Sequence, residues 1–149
     1  MSPTTNIRLS VLMPCRDAAE HLTQSIRSIE SQSFRDFEVV AVNDGSTDAT
    51  EPMLERWANR DERVRVLNLE RVGLAGALQV GANACRGELL ARFDADDVAH
   101  PLRFAQQIDF LARHRDLSAV GTRVRYFPRD KVGWGARRYE RWLNGLADP

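Results

Sequence analysis

Three carboxylates fall within four positions at Asp94-Ala95-Asp96-Asp97, directly after the apolar run Leu89-Leu90-Ala91-Arg92-Phe93. Like charges this close repel one another unless something cationic compensates them. On an extended chain, side chains two apart share a side, so Asp94 and Asp96 converge while Asp97 turns away. Mg²⁺ or Mn²⁺ is commonly held by one or two carboxylates, with phosphate oxygens completing the shell, so a metal-diphosphate ligand is the first chemistry suggested. The competing reading is a solvated turn or a helix cap.

The elements that position this cluster are legible from periodicity. Leu9-Ser10-Val11-Leu12-Met13 reads as a buried strand stopped by Pro14, and Leu22, Ile26 and Ile29 recur at helical spacing up to Ser31. Phe37 to Val42 is a second strand, followed by the turn-forming Asn43-Asp44-Gly45-Ser46-Thr47-Asp48 and a helix carrying Met53, Leu54 and Trp57, with Asp48 and Glu51 as a capping pair. Val64 to Leu69 alternates as a third strand, followed by a helix from Leu74 to Ala84 and a break at Gly87. Glu88 to Phe93 is the fourth strand. Pro101 opens a helix to about His114, and Ala119 to Tyr126 reads as a fifth strand. Such alternation predicts an α/β fold: a mainly parallel sheet with helices on both faces, joined by right-handed crossovers. In such sheets ligands lie beyond the carboxyl ends of the strands. There the sequence places Pro14-Cys15-Arg16-Asp17, Asn43-Asp44-Gly45-Ser46, Glu70-Arg71-Val72-Gly73 and the acidic cluster.

The 149 residues suit one domain, and 43% hydrophobic content is ample for a core. Twenty-one basic residues balance 21 acidic ones, which argues against nucleic acid as a partner. No apolar leader or membrane-length stretch is evident, so a cytoplasmic location is the default expectation. Cys15 and Cys85 read as buried free thiols, and His21, His100 and His114 are too scattered for a histidine metal site, though His100 lies near the acidic cluster.

Over roughly residues 9 to 127 these motifs resemble the family 2 glycosyltransferases of the Rossmann-like GT-A fold, enzymes that use nucleoside-diphosphate sugars. Ser10-Val11-Leu12-Met13-Pro14 with Asp17, Ser31-Gln32-Ser33-Phe34 with Phe37-Glu38-Val39-Val40, Val42 to Asp48, Gly73-Leu74-Ala75 through Gly81, and Phe93 to Asp97 are similar to successive family segments. The resemblance implies nucleotide binding by Pro14, Arg16, Asp17, Asp44 and Asp94. It implies Mn²⁺ or Mg²⁺ on Asp96, assisted by Asp94, while Asp97 orients the following turn. Asp44 would accept a base N–H; its alternative role is an Asx-turn or cap. Arg16 would reach a phosphate or stack on the base, or is a surface arginine. Relatives carry an arginine near the position of Leu78, so here Arg71 or Arg92 must meet the phosphates.

The implied reaction moves a sugar, from a UDP-sugar first of all, to a hydroxyl of a saccharide, lipid-linked or other acceptor, with inversion at the anomeric carbon. Cell-envelope polysaccharide synthesis and a peripheral position at the inner membrane face go with it. The family's catalytic base is not found after Asp97, since Asp130 and Glu140 sit in no acid pair. The expected organisation is an N-terminal extension over 1–8, a nucleotide-sugar-binding domain over 9–127, and the start of an acceptor-side region over 128–149. This would be the donor half of a longer enzyme, with Trp134, Tyr139 and Trp142 exposed and promoting self-association. The basic residues Arg123, Arg125, Arg129, Lys131, Arg137, Arg138 and Arg141 read as a solvated face or as a patch for an anionic acceptor. The alternatives are a non-catalytic nucleotide- or partner-binding fragment and, more remotely, a haloacid-dehalogenase-type phosphotransferase, whose motif would belong on the first strand.

Overall fold

The computed structural model describes residues 7–146. Its elements in chain order are β1 (Leu9–Cys15), α1 (Ala19–Glu30), β2 (Phe37–Asp44), α2 (Thr50–Ala58), β3 (Val64–Leu69), α3 (Gly73–Ala84), β4 (Leu89–Arg92), α4 (Arg103–Arg113) and α5 (Trp134–Asn144). The chain forms two compact units, one through Ala105 and one from Gln106, so the expected boundary at residue 127 lies inside the second.

In the first unit the four strands are all parallel and lie in the order β3-β2-β1-β4. The chain steps outward from β1 to β3 and then returns to the far side of β1 as β4. Right-handed crossovers then put α1 and α2 on one face and α3 on the other. Both faces of β1 and β2 are therefore covered, which is why those strands read as nearly continuous apolar runs rather than alternating ones. Leu12, Val40 and Val42 meet Ala77 of α3, while Val11, Met13, Val39 and Ala41 occupy the alternate positions and are fully buried.

Close approach explains Gly81. A Cβ there would stand 2.2 Å from Leu12 Cδ1 and 2.7 Å from Val42 Cγ2, so the small-residue surface of α3 lets the helix sit down on β1 and β2. Gly81→Ala is expected to destabilise the fold by about 1–3 kcal/mol through overpacking. In urea this would lower the unfolding midpoint at unchanged slope; an unchanged midpoint would mean that α3 can lift off freely.

The amino-terminal edge of the sheet holds a charge that the sequence pattern does not announce. Glu38, the second residue of the otherwise apolar start of β2, has a side chain only 2% exposed. Ser10 Oγ and the Arg86 backbone N–H each donate to its Oε1 at 2.7 Å. The Arg65 and Arg86 guanidinium groups converge on Oε2 at 3.0 and 2.8 Å. Burial is the largest single influence on this carboxyl and pushes it up, but the hydrogen bonds from Ser10 and Arg86 and the Arg65 charge together hold it below its ordinary value. Gly87 completes the arrangement: its N–H donates to Ser10 Oγ at 2.8 Å, and a Cβ there would lie 2.5 Å from the Ser10 nitrogen.

Four local expectations need correction. No strand forms over 119–126; the segment is exposed at almost every position, so no apolar face drives pairing. Its backbone is engaged by side chains of α5 instead: Asn144 receives the Val124 N–H at 2.8 Å and donates to the Val124 carbonyl at 2.7 Å, and Glu140 receives the Tyr126 N–H at 2.7 Å. Pro101 lies in a turn, and α4 starts two residues later, with the Arg103 N–H donating to the His100 carbonyl at 2.9 Å. Glu51 does not reach back to cap α2 but faces Asn43 Nδ2 at 3.3 Å. Of the two thiols, Cys15 is buried and Cys85 is only half-buried; both are free.

In the second unit Glu140 is doubly bonded by Arg129, at 2.9 and 2.8 Å, and the Tyr126 N–H, with this arginine, keeps its carboxyl below the ordinary range. Trp134, Tyr139 and Trp142 of α5 are exposed, as are Tyr126 and Phe127. No helix among the described residues is long and apolar enough to cross a membrane.

Candidate functional site

Two adjoining hollows open at the carboxyl ends of the strands. The first, about 220 Å³, is walled by Pro14, Cys15, Arg16, Asp44, Arg71, Gly73, Leu74 and Ala77. The second, about 290 Å³, is walled by Pro14, Arg16, Asp17, Ala18, His21, Leu74, Arg92, Asp94, Ala95 and Asp96. Pro14, Arg16 and Leu74 belong to both, so the two form one groove. The strand order reverses at β1, with β2 on one side and β4 on the other. The second hollow lies at that reversal, between the chain leaving β1 and the chain leaving β4, where an open parallel sheet offers a crevice.

Each of the six residues expected to bind nucleotide or metal lines this groove, and their local bonds differ in instructive ways. Asp44, 3% exposed, uses both carboxylate oxygens on the start of α3, accepting the Val72 N–H at 2.6 Å and the Gly73 N–H at 3.0 Å. It is thus a cap, though of the helix after β3 rather than of the next helix in sequence. Each oxygen retains a second lone pair. Arg16 spans from the β1 loop to the β2 loop, donating to the Asp44 carbonyl at 2.7 Å and the Gly45 carbonyl at 3.3 Å.

Asp17 takes a left-handed backbone (φ 45°), uncommon for a residue with a Cβ. The bonds around it sustain this conformation: its N–H donates to Ser46 Oγ at 3.1 Å, and its Oδ1 accepts the Thr47 N–H at 2.7 Å. That Thr47 N–H, above all, holds the Asp17 carboxyl below the usual range, aided by the Thr47 hydroxyl and Arg16. Asp48 caps two helices at once, accepting the Ala19 N–H of α1 at 3.0 Å and the Thr50 N–H of α2 at 2.9 Å.

The acidic cluster is not extended. Strand β4 ends at Arg92, and Asp94 to Asp97 fold into a turn closed by the Asp97 N–H donating to the Asp94 carbonyl at 3.0 Å. The turn, rather than strand alternation, brings Asp94 and Asp96 to the same hollow and leaves Asp97 outside its wall. Asp94 forms a two-pronged pair with Arg92 at 3.0 and 3.3 Å. Asp96 is exposed and has no hydrogen bond or ion pair among the described residues. Although much of Asp97 is exposed, loss of hydration around its carboxyl, then the charges of Asp94 and Asp96, push it above the usual carboxylate range. Negative potential at this turn therefore exceeds what Arg92 and Arg103 offset.

No group of three or more His, Cys, Asp or Glu side chains is arranged to hold a metal among the described residues. What the turn offers is a pair of carboxylates, which fits a cation whose remaining positions are filled by phosphate oxygens and water rather than a cage made by protein alone. His100 takes no part: its Nδ1 faces the Leu102 N–H at 3.3 Å, and it lines neither hollow. Cys15 does line the first, but burial pushes its thiol up to about 12, so it acts as an apolar wall rather than a nucleophile. The sequence reading missed Leu74, an apolar side chain 55% exposed in the first turn of α3, and His21 on α1. An apolar residue right after a loop glycine, where polar first-turn residues are usual, was the available signal for Leu74.

The sequence matches the family described as Glycosyl transferase family 2 over residues 10–148. It is 33% identical to the O-antigen biosynthesis glycosyltransferase WbnJ of Escherichia coli over 118 residues, 78% of this chain and 46% of that protein. Among solved structures, S. aureus TarS in complex with UDP-GlcNAc superposes with a TM-score of 0.68 at 27% identity, covering 82% of this chain and 37% of that one. The mannosyltransferase PcManGT of Pyrobaculum calidifontis, in complex with GDP-Man and Mn²⁺, gives a TM-score of 0.66 at 28% identity, covering 74% and 34%. The chain spans less than half the length of the first curated relatives it matches. With a parallel sheet that reverses its order at a polar groove and a family match along nearly its whole length, the chain belongs to glycosyltransferase family 2.

Proposed function

We propose that the groove receives a nucleoside diphosphate sugar, a UDP-sugar before others, and that the protein of which this fold is the donor-binding part transfers the sugar to an acceptor hydroxyl with inversion. One observation carries the reading: an apolar hollow with a buried carboxylate joins, across shared walls, a hollow lined by the two carboxylates of Asp94 and Asp96. A nucleoside diphosphate has the matching halves, a flat base and an anionic tail. The UDP-GlcNAc and GDP-Man complexes of the structural neighbours support it.

In this reading the base lies between Pro14 and Leu74, with a free lone pair of Asp44 facing a base N–H. Arg16 holds the two loops that flank the nucleoside, and Arg71, on the rim of the first hollow, approaches the phosphates. Asp94 and Asp96 would hold Mn²⁺ or Mg²⁺ against the diphosphate. Bound there, the cation supplies Lewis-acid stabilisation of the charge that builds on the departing diphosphate. We place the general base that deprotonates the acceptor in the part of the relatives' length that this chain does not span. Glu140, held ionised by Arg129, is a tie within its own unit. For the acceptor we propose a saccharide or lipid-linked hydroxyl in cell-envelope polysaccharide synthesis; that WbnJ is an O-antigen biosynthesis glycosyltransferase supports this.

Thermal unfolding with UDP, GDP and TDP, each with and without Mn²⁺, tests the donor site. Occupancy at about 100 Kd stabilises by about 2.7 kcal/mol, roughly a 5–11 °C rise in Tm for a chain of this size. The expected result is a rise with UDP that grows when Mn²⁺ is added; no rise with any of the three would overturn the proposal.

A further inference from the structure

Three polar residues on the buried face of α1 break its amphipathic pattern. Ser25, Ser28 and Gln32, the last just beyond the helix end, are 0%, 6% and 0% exposed. Buried polar groups are tolerated where they are bonded, and these are bonded to one segment, residues 95–104, which runs from the acidic turn into the first turn of α4. Ser25 Oγ donates to the Ala95 carbonyl at 2.8 Å. Ser28 Oγ donates to the Ser25 carbonyl at 2.8 Å and accepts the Ala99 N–H at 3.1 Å. Gln32 donates to the His100 carbonyl at 2.9 Å and accepts the Phe104 N–H at 3.1 Å, and the Ser33 N–H donates to the Pro101 carbonyl at 2.9 Å. The His21 carbonyl is a second, longer acceptor for the Ser25 hydroxyl at 3.4 Å, so the 2.8 Å contact with Ala95 is the closer of the two. The bonds to the loop follow it in order along one side of the helix.

Ala95 is the residue between the two carboxylates of the hollow, and it lines that hollow itself. Its carbonyl is fixed by Ser25 while its neighbours Asp94 and Asp96 project into the groove. We propose that Ser25 is a positioning residue for the cation-diphosphate grip: through the Ala95 carbonyl it sets where Asp94 and Asp96 stand relative to the end of β1, and Ser28 and Gln32 hold the outgoing arm of the turn. The inference rests on the donor-site reading above. The apolar alternative at this position, an alanine or valine, would satisfy the helix and the core equally well but would leave the turn untethered. The stripe is therefore explained by what it holds rather than by α1.

The test compares wild type with Ser25→Ala, with Ser25→Cys, whose thiol is a weaker donor of similar size, and with Leu54→Val, a core change on α2 that touches neither turn nor groove. Two quantities are read at a temperature where all four are folded. Amide exchange at Asp97 reports closure of the turn without any ligand, and calorimetric titration of UDP with Mn²⁺ reports the grip. The expected result for Ser25→Ala is roughly tenfold faster exchange at Asp97, with strand β2 unchanged, and roughly tenfold weaker UDP-Mn²⁺ binding. Ser25→Cys should fall between, and Leu54→Val should match wild type in both. Unchanged Asp97 exchange in Ser25→Ala would overturn the tether, and a looser turn with unchanged affinity would overturn its link to the grip. If wild type itself binds no nucleotide while the Asp97 difference persists, the donor-site reading falls and the tether stands as a feature of the turn alone.

Discussion

Glu38→Ala is expected to cost about 1.5–3 kcal/mol of folding stability, the typical worth of hydrogen bonds to a charged group, since the arginines left behind are 33% and 58% exposed and can be hydrated. Arg65 and Arg86 would keep their charges beside a cavity, and Ser10 would lose its acceptor. For a chain whose net stability is of order 5–15 kcal/mol, this is the largest single-residue effect anticipated outside the apolar core. Glu38→Gln should recover only part, since the amide keeps the shape but not the charge. The same carboxyl predicts acid sensitivity. Its folded value lies below the ordinary 4.5, so its contribution is complete above that value and is lost as pH falls through the depressed folded value. Chemical denaturation at neutral and acid pH checks both points: wild type should lose stability on acidification, and Glu38→Gln should lose less over the same interval.

The second large effect separates stability from binding. Asp96→Ala should weaken UDP-Mn²⁺ binding at least tenfold, about 1.4 kcal/mol, and yet leave the unliganded protein as stable as wild type or more so. Asp96 has no partner among the described residues, and its charge, after loss of hydration and the charge of Asp94, helps push the Asp97 carboxyl up. Removing it relieves repulsion, so Asp97 should titrate closer to its usual range, observable by carbon-detected NMR titration. A Tm that rises without ligand but no longer responds to UDP and Mn²⁺ is the combined signature. Retained affinity in Asp96→Ala would remove Asp96 from the metal role.

What could be read in the sequence divides along physical lines. β1 and β2 were visible because burial on both faces leaves apolar runs bounded by Pro14 and by Asn43 to Gly45. The acidic turn and Asp44 were visible because carboxylates at strand ends have few structural uses. The geometry of the turn was not, since strand alternation fails one residue past the last ladder bond at Phe93. Residues 119–126 alternate like a strand, but alternation says nothing about whether a partner is offered, and Asn144 and Glu140 take the backbone bonds from twenty and fourteen residues away. α5 itself, rich in arginine and aromatics, gave no buried stripe to detect. Ser25, Ser28 and Gln32 were invisible for a different reason: a polar residue at a core position looks like an irregularity until the loop it holds is seen.

The carboxylate of Asp48, shared between α1 and α2, has a bearing on how an anion can be held here. In an all-parallel sheet the positive ends of the helices point toward the same rim as the groove, and in many phosphate sites those exposed N–H groups do the binding. Here the starts of α1 and α2 are covered by Asp48 and the start of α3 by Asp44. Three helix dipoles are thus neutralised from within. For the proposed diphosphate this shifts charge compensation from fixed backbone to exchangeable or mobile groups, the cation at the acidic turn and the exposed side chain of Arg71. Affinity for the donor would then follow the free concentration of the divalent ion, making the fold responsive to its ionic surroundings in a way that a backbone-built phosphate cradle is not.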